Sequence, residues 1–112
     1  MKTDVKHENN STIVTVNGSL DALTAPDLGN ALSNEIAEGN VNLVVNLMDV
    51  EFMSSAGLRT LLGAVKESRS HGGDLRIAST NPGIDKVLKM SGFNNIAKVF
   101  SSQAEAVLSF GS

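Results

Sequence analysis

Val50-Glu51-Phe52-Met53-Ser54-Ser55-Ala56-Gly57-Leu58-Arg59-Thr60-Leu61-Leu62 is the stretch on which the reading of this chain turns. Apolar residues run into four very small ones, Ser54 to Gly57, and an amphipathic segment leaves them. Leu58, Leu61, Leu62 and Val65 recur at helical spacing, while Arg59, Thr60, Lys66, Glu67 and Arg69 lie mostly elsewhere. The stretch therefore predicts a strand end, a tight connection and a helix over about 56–70, closed by Gly72-Gly73.

Upstream, Val41-Asn42-Leu43-Val44-Val45-Asn46-Leu47 is nearly continuous in apolar residues, the pattern of a strand covered on both faces. Thr24-Ala25-Pro26-Asp27 places a capping threonine before a proline and an acid. Leu28, Ala31, Leu32 and Ile36 follow, which predicts a helix over about 25–38. Residues 4–8 and the β-branched run Ser11–Gly18, separated by Asn9-Asn10, read as a hairpin. Downstream, Asp74–Ala78 alternates as a strand, and Asn81-Pro82-Gly83 reads as a turn. Ile84, Val87 and Leu88 form a short helical stripe, and Ile96–Phe100 suggests a last strand. Ser102-Gln103-Ala104-Glu105 is a capping box before a final helix carried by Ala104, Val107 and Leu108. The order ββαβαβαβα specifies an α/β domain over 1–112. Its sheet is mixed but mostly parallel, with about five strands and about four helices packed on it.

The chain has 112 residues, 41% of them hydrophobic, enough for one domain with its own core. It has no Cys, Trp or Tyr and a net charge of −3, with its nine basic residues scattered. Thiol catalysis, disulfides and cysteine-zinc sites are excluded. Nucleic-acid binding is disfavoured, since neither a basic patch nor a stacking platform is present. No apolar run approaches the ~20 residues of a membrane span. The charged start, Met1 to Glu8, lacks the apolar segment of a secretory signal, so a cytoplasmic location is expected.

Ser54 and Ser55 stand where a helix would begin, among unpaired N–H groups and a partial positive charge. No acid occupies the first turn. Arg59, four residues after Ser55, opposes the helix dipole and would pair with a phosphate there. From these residues alone two readings stand: a structural serine cap with small residues for close packing, or an anion site that a phosphoserine would fill. A serine hydrolase does not fit, because Met53 and Phe52 occupy the positions where a nucleophile elbow needs glycine. His7 and His71 lie far from Ser55 along the predicted elements, and no P-loop pattern occurs. Asp21, Asp49 and Glu51 make a poor metal set, so no metal and no cofactor are expected. Asp21, between a strand end and a helix cap, reads as a solvated turn residue or as a carboxylate shaping the serine site.

Phe52-Met53-Ser54-Ser55-Ala56-Gly57-Leu58 resembles the signature of STAS domains, and specifically that of bacterial anti-sigma factor antagonists. Gly18-Ser19-Leu20-Asp21 with Thr24-Ala25-Pro26 is similar to a second family motif. Val44–Leu47, Gly72–Leu75, Val87-Leu88 and Gly92 to Ile96 are similar to further landmarks, so the likeness spans nearly the whole chain. It implies a non-enzymatic regulator. The unphosphorylated form would bind an anti-sigma factor that is also a serine kinase of histidine-kinase-like ATPase fold, freeing the sigma factor. Phosphorylation would end that binding, and a PP2C-type phosphatase would restore it. By position the acceptor is Ser55, ahead of Ser54, which stands where many relatives carry Asp. The implied partner-binding residues are Asp21, Thr24, Met53, Ser54, Ala56, Gly57, Leu58 and Arg59, on a monomer or weak homodimer. The same resemblance also covers a scaffold or accessory subunit of a sensory complex, a secretion regulator or a lipid-transporter accessory.

Overall fold

The computed structural model describes residues 1–111. Strands β1 (Lys2–Glu8) and β2 (Ser11–Leu20) form a hairpin about Asn9-Asn10, with Asn9 at φ 55°. Helix α1 (Ala25–Ala37), strand β3 (Asn42–Met53), helix α2 (Ser55–Ser70), strand β4 (Asp74–Ala78) and helix α3 (Pro82–Met90) follow. A 3₁₀ turn at Phe93–Asn95, strand β5 (Val99–Phe100) and helix α4 (Gln103–Leu108) are the last of the described elements.

The five strands lie in sequence order, β1-β2-β3-β4-β5, and only β1 is antiparallel. Parallel neighbours joined in sequence need crossovers of one hand, which place α1, α2 and α3 on the same face of the sheet. The core follows from this. Val14, Val16, Leu43, Val45, Leu47, Leu75 and Ile77 pack beneath Leu28, Leu32, Leu61, Val65, Ile84 and Leu88. Among the described residues α4 is the helix on the other face, where its Ala106 and Val107 pack on Ile13, Val44 and Ala78. Leu43, Val44 and Val45 are all fully buried, as a strand covered on both faces requires.

The expected order of elements and the mixed, mostly parallel sheet are observed. Four local readings change. Strand β3 runs six residues beyond Leu47, because β2 continues to pair with it as far as Leu20↔Met53. Asn81 is not merely a turn residue. Its Oδ1 accepts from the N–H groups of Gly83 and Ile84 and caps α3, with Pro82 in the first turn. The last strand shrinks to Val99–Phe100, since Phe93 to Ile96 take up a helical turn. In α4, Ser102 Oγ does accept from Glu105 N, but Glu105 receives the Ser101 hydroxyl. The helix also buries Ala106 and Val107 while Leu108 is exposed, so the apolar face is shifted from the expected one.

Candidate functional site

The C-terminal ends of β2 and β3 are joined side by side, and the two serines sit on that rim. Ser54 N donates to Leu20 O at 2.9 Å, directly after the last register pair, Leu20↔Met53. One turn on, Gly57 lies against the same residue. A Cβ at Gly57 would stand 2.8 Å from Leu20 Cγ and 3.1 Å from Leu20 O. Only glycine admits this approach, which seats the start of α2 on the end of β2.

Ser54 is the N-cap of α2 and Ser55 its first residue. The two hydroxyls differ. Ser54 Oγ is sequestered from solvent and has no hydrogen-bond partner, whereas Ser55 is exposed. No side chain caps the helix and no acid occupies its first turn, so the positive end of a sixteen-residue helix is left uncompensated. Arg59 is exposed on the next turn, and no salt bridge engages it among the described residues.

Asp21 organises the loop beside them. Its Oδ1 accepts from Leu23 N at 3.0 Å, Thr24 N at 3.1 Å and, at 3.2 Å, the Thr24 hydroxyl. The backbone N–H of Thr24, then that of Leu23, hold its carboxyl below the usual range against a smaller opposing effect of burial. Thr24 was expected to cap α1 through its side chain, and it does not. Its hydroxyl donates to Ser19 O at 2.8 Å and accepts from Asp21 N at 2.9 Å. Thr24 itself already has helical dihedrals, and Ala25 N bonds to Asp21 O at 2.8 Å. Thr24 thus ties the strand end to the loop, and Asp21 performs the capping one turn earlier.

Of the residues expected to meet a partner, Asp21, Thr24, Ser54, Ala56, Leu58 and Arg59 reach the surface of this rim. Met53 and Gly57 do not. Met53 is 4% exposed within the main core and Gly57 is buried against Leu20, so they shape the rim from beneath. Two apolar side chains went unrecognised: Leu23 at 88% exposure and Phe52 at 55%. Leu23 belongs to no helical stripe, a detectable signal. Phe52, in an apolar run, offers none without the length of β3.

His71 ends α2 at its far terminus, where Nδ1 lies 2.9 Å from Glu67 O. His7 lies at the opposite end of the sheet, 3.1 Å from Glu35. Neither reaches Ser55. Among the described residues no group of three or more His, Asp or Glu side chains is placed to hold a metal ion, and no helix is long and apolar enough to cross a membrane.

A model of the STAS domain matches residues 2–106. The chain belongs to the STAS domain family. This STAS domain is 26% identical over 108 residues to the anti-sigma F factor antagonist of Paenibacillus polymyxa, covering 96% of this chain and 92% of the relative. Its fold superposes on the crystal structure of an anti-sigma factor antagonist from Mycobacterium paratuberculosis with a TM-score of 0.89 and 24% identity, covering 96% and 92% of the two chains. It is also similar to the phosphorylated form of the Bacillus cell-fate determinant SpoIIAA. That match has a TM-score of 0.75 and 20% identity over 97% of this chain and 99% of the other. The α/β architecture, a mixed five-stranded sheet with four helices, matches that of these fold neighbours.

Proposed function

We propose that this STAS domain is an anti-sigma factor antagonist whose partner binding is switched by phosphorylation of Ser55. The observation that carries the reading is the contrast at the start of α2. An exposed Ser55 occupies an uncompensated helix N-terminus, while the neighbouring Ser54 Oγ is sequestered. A kinase active site must reach the hydroxyl it modifies, so the exposed serine is the acceptor. The relatives named above, antagonists of anti-sigma factors in other bacteria, supply the partner class. That partner is an anti-sigma factor serine kinase of histidine-kinase-like ATPase fold, and a PP2C-type phosphatase reverses its action. The protein acts by binding, in the cytoplasm, and is not itself an enzyme.

In this reading the anti-sigma factor covers the rim formed by Asp21, Thr24, Ser54, Ala56, Leu58 and Arg59. Leu23 and Phe52 supply apolar anchors. Phosphate adds about −1.5 to −2 charge at Ser55. Within the free domain the helix N-terminus and Arg59 compensate it. Across the interface it must be desolvated against a surface fitted to a hydroxyl. A penalty of about 3 kcal/mol weakens binding more than a hundredfold. Incubation with the cognate kinase and ATP, followed by phosphopeptide mapping, tests the assignment. Ser54→Ala is expected to retain modification and Ser55→Ala to lose it; phosphate on Ser54 in the unaltered protein refutes it.

A further inference from the structure

Strand β1 occupies the edge of the sheet, and all seven of its residues are exposed. Its turn fixes which backbone groups are free. Asn9-Asn10 is a two-residue turn, so the flanking pair Glu8↔Ser11 is of the hydrogen-bonded kind. Pair types alternate along an antiparallel ladder. Lys2, Asp4, Lys6 and Glu8 therefore turn their backbone groups toward β2. Thr3, Val5 and His7 turn theirs outward, an unpaired row open to another strand.

The side chains of β1 carry a pattern that selects what pairs there. Antiparallel pairing of two copies of Lys2-Thr3-Asp4-Val5-Lys6-His7-Glu8 must set outward-turned residues opposite one another. With the two-fold axis at Val5, Val5 faces Val5 and Thr3 faces His7, each as hydrogen-bonded pairs. Lys2 then faces Glu8 and Asp4 faces Lys6, each twice. These fall on the non-hydrogen-bonded positions, where opposing side chains are closest. A shift of the axis by one residue is the nearest alternative that keeps the outward groups paired. One direction sets Lys2 against Lys6 and Asp4 against Asp4. The other sets Asp4 against Glu8 and Lys6 against Lys6. Of these three registers, only the central one is charge-complementary. Charges on an edge strand ordinarily deter pairing; here a one-residue shift is repelled, a two-residue shift keeps only two ion pairs, Lys2 with Asp4 or Lys6 with Glu8, and the central register makes four.

We propose that β1 is a self-complementary docking edge for a second copy of this chain, joined antiparallel about a two-fold axis at Val5. The interface is isologous, the self-matching kind that closes a dimer. The two five-stranded sheets become continuous across it. Each Ser55 rim lies at the Lys2 end of its own β1, because β1 runs antiparallel to β2. The two-fold axis therefore places the rims at opposite ends of the joined sheet, both uncovered. A seven-residue strand pair buries less than the roughly 1,200 Å² of a standard stable interface, so the dimer is weak and reversible. Its ion pairs make it sensitive to salt.

Sedimentation equilibrium of the full chain over a concentration series, at low and high salt, tests the proposal. The unaltered protein is expected to show a monomer–dimer equilibrium that weakens as salt is added. Asp4→Lys alone and Lys6→Asp alone each set like charges opposite one another, and each should lose at least tenfold in association. An equimolar mixture of the two variants places two cationic positions of one strand against two anionic positions of the other, and association should return. Val5→Pro removes an outward N–H and leaves the β1–β2 ladder whole. It should abolish the dimer while the circular-dichroism melt stays close to that of the unaltered chain. A protein that remains monomeric at millimolar concentration in low salt overturns the proposal. So does a dimer indifferent to both charge reversals, or variants that fail to associate when mixed.

Discussion

At the scale of single residues, the rim depends on one close approach and one carboxylate. Gly57 has room for a hydrogen and for nothing larger, since a methyl would press on the side chain and carbonyl of Leu20, itself fully buried. Overpacking of this kind costs about 1–3 kcal/mol. Gly57→Ala is therefore expected to lower the melting temperature by roughly 4–12 °C in a thermal melt. Asp21 acts both as an acceptor and as a charge, and the two are separable. Asp21→Asn keeps an oxygen for Leu23 N and Thr24 N, whereas Asp21→Ala keeps none. Hydrogen exchange at the amides of Leu23 and Thr24 should stay near its normal rate in the Asn variant and rise in the Ala variant. Partner affinity that falls in Asp21→Asn despite an intact loop would assign the charge itself to binding. The sequence marked both positions, but it could not tell surface from support. Met53 and Gly57 share a motif with Ser55, and burial alone separates them from it.

At the scale of elements, the ends of α2 are held by different physics. Its start rests on Leu20 through backbone contact, and its end is tied down by charge. Arg69 Nε lies 2.9 Å from Asp74 Oδ1, and Arg76 Nε lies 3.1 Å from Asp74 Oδ2. Arg76 reaches on to Ser109 Oγ at 2.8 Å and stacks over Phe110, so this cluster links α2, β4 and the end of α4. Burial works against the charge on Asp74, yet the hydrogen bonds from Arg69 and Arg76 outweigh it and hold the carboxyl below its usual 3.8. A carboxyl depressed in the folded state stabilises fully above the unfolded value. That contribution is lost as pH falls through the folded value. Urea unfolding between about pH 5 and pH 2 should show the unaltered protein losing stability, and Asp74→Asn losing less over the same range. Helices and strands with strong periodicity were legible in the sequence, α2 and β4 almost to the residue. That Val41–Leu47 and the strand end before Ser54 are one strand was not, because Asp49 and Glu51 break the apolar pattern between them and only pairing with β2 makes β3 continuous. The face of α4 was misassigned for a related reason. In a six-residue helix, the small cluster it covers decides which side is buried, and local spacing does not.

At the scale of the whole molecule, the sequential sheet makes the two faces unequal, and that inequality orders stability. Three helices cover one face over a large core, while α4 covers part of the other, its Ala106 and Val107 closing on Ile13, Val44 and Ala78. Opening α4 exposes little apolar surface; opening β2 from β3 exposes most of the core. Local opening should therefore cost least for β1, β5 and α4 and most for β2 and β3. Native-state hydrogen exchange is expected to show the slowest amides at Val14, Val16, Val44 and Val45, and much faster exchange at Val99 and Val107. The Ser55 rim lies over the stable part, since Ser54 is bonded to Leu20 and Gly57 is seated on it. A charge added at Ser55 meets an acid-free helix N-terminus and leaves that seat untouched. Ser55→Asp should then melt within a few degrees of the unaltered protein while its affinity for the anti-sigma partner drops. Calorimetric titration of that partner, set beside the melt, separates the two effects. Parallel loss of stability and affinity would mean that the charge acts by unfolding the rim, and unchanged affinity would remove Ser55 from the interface.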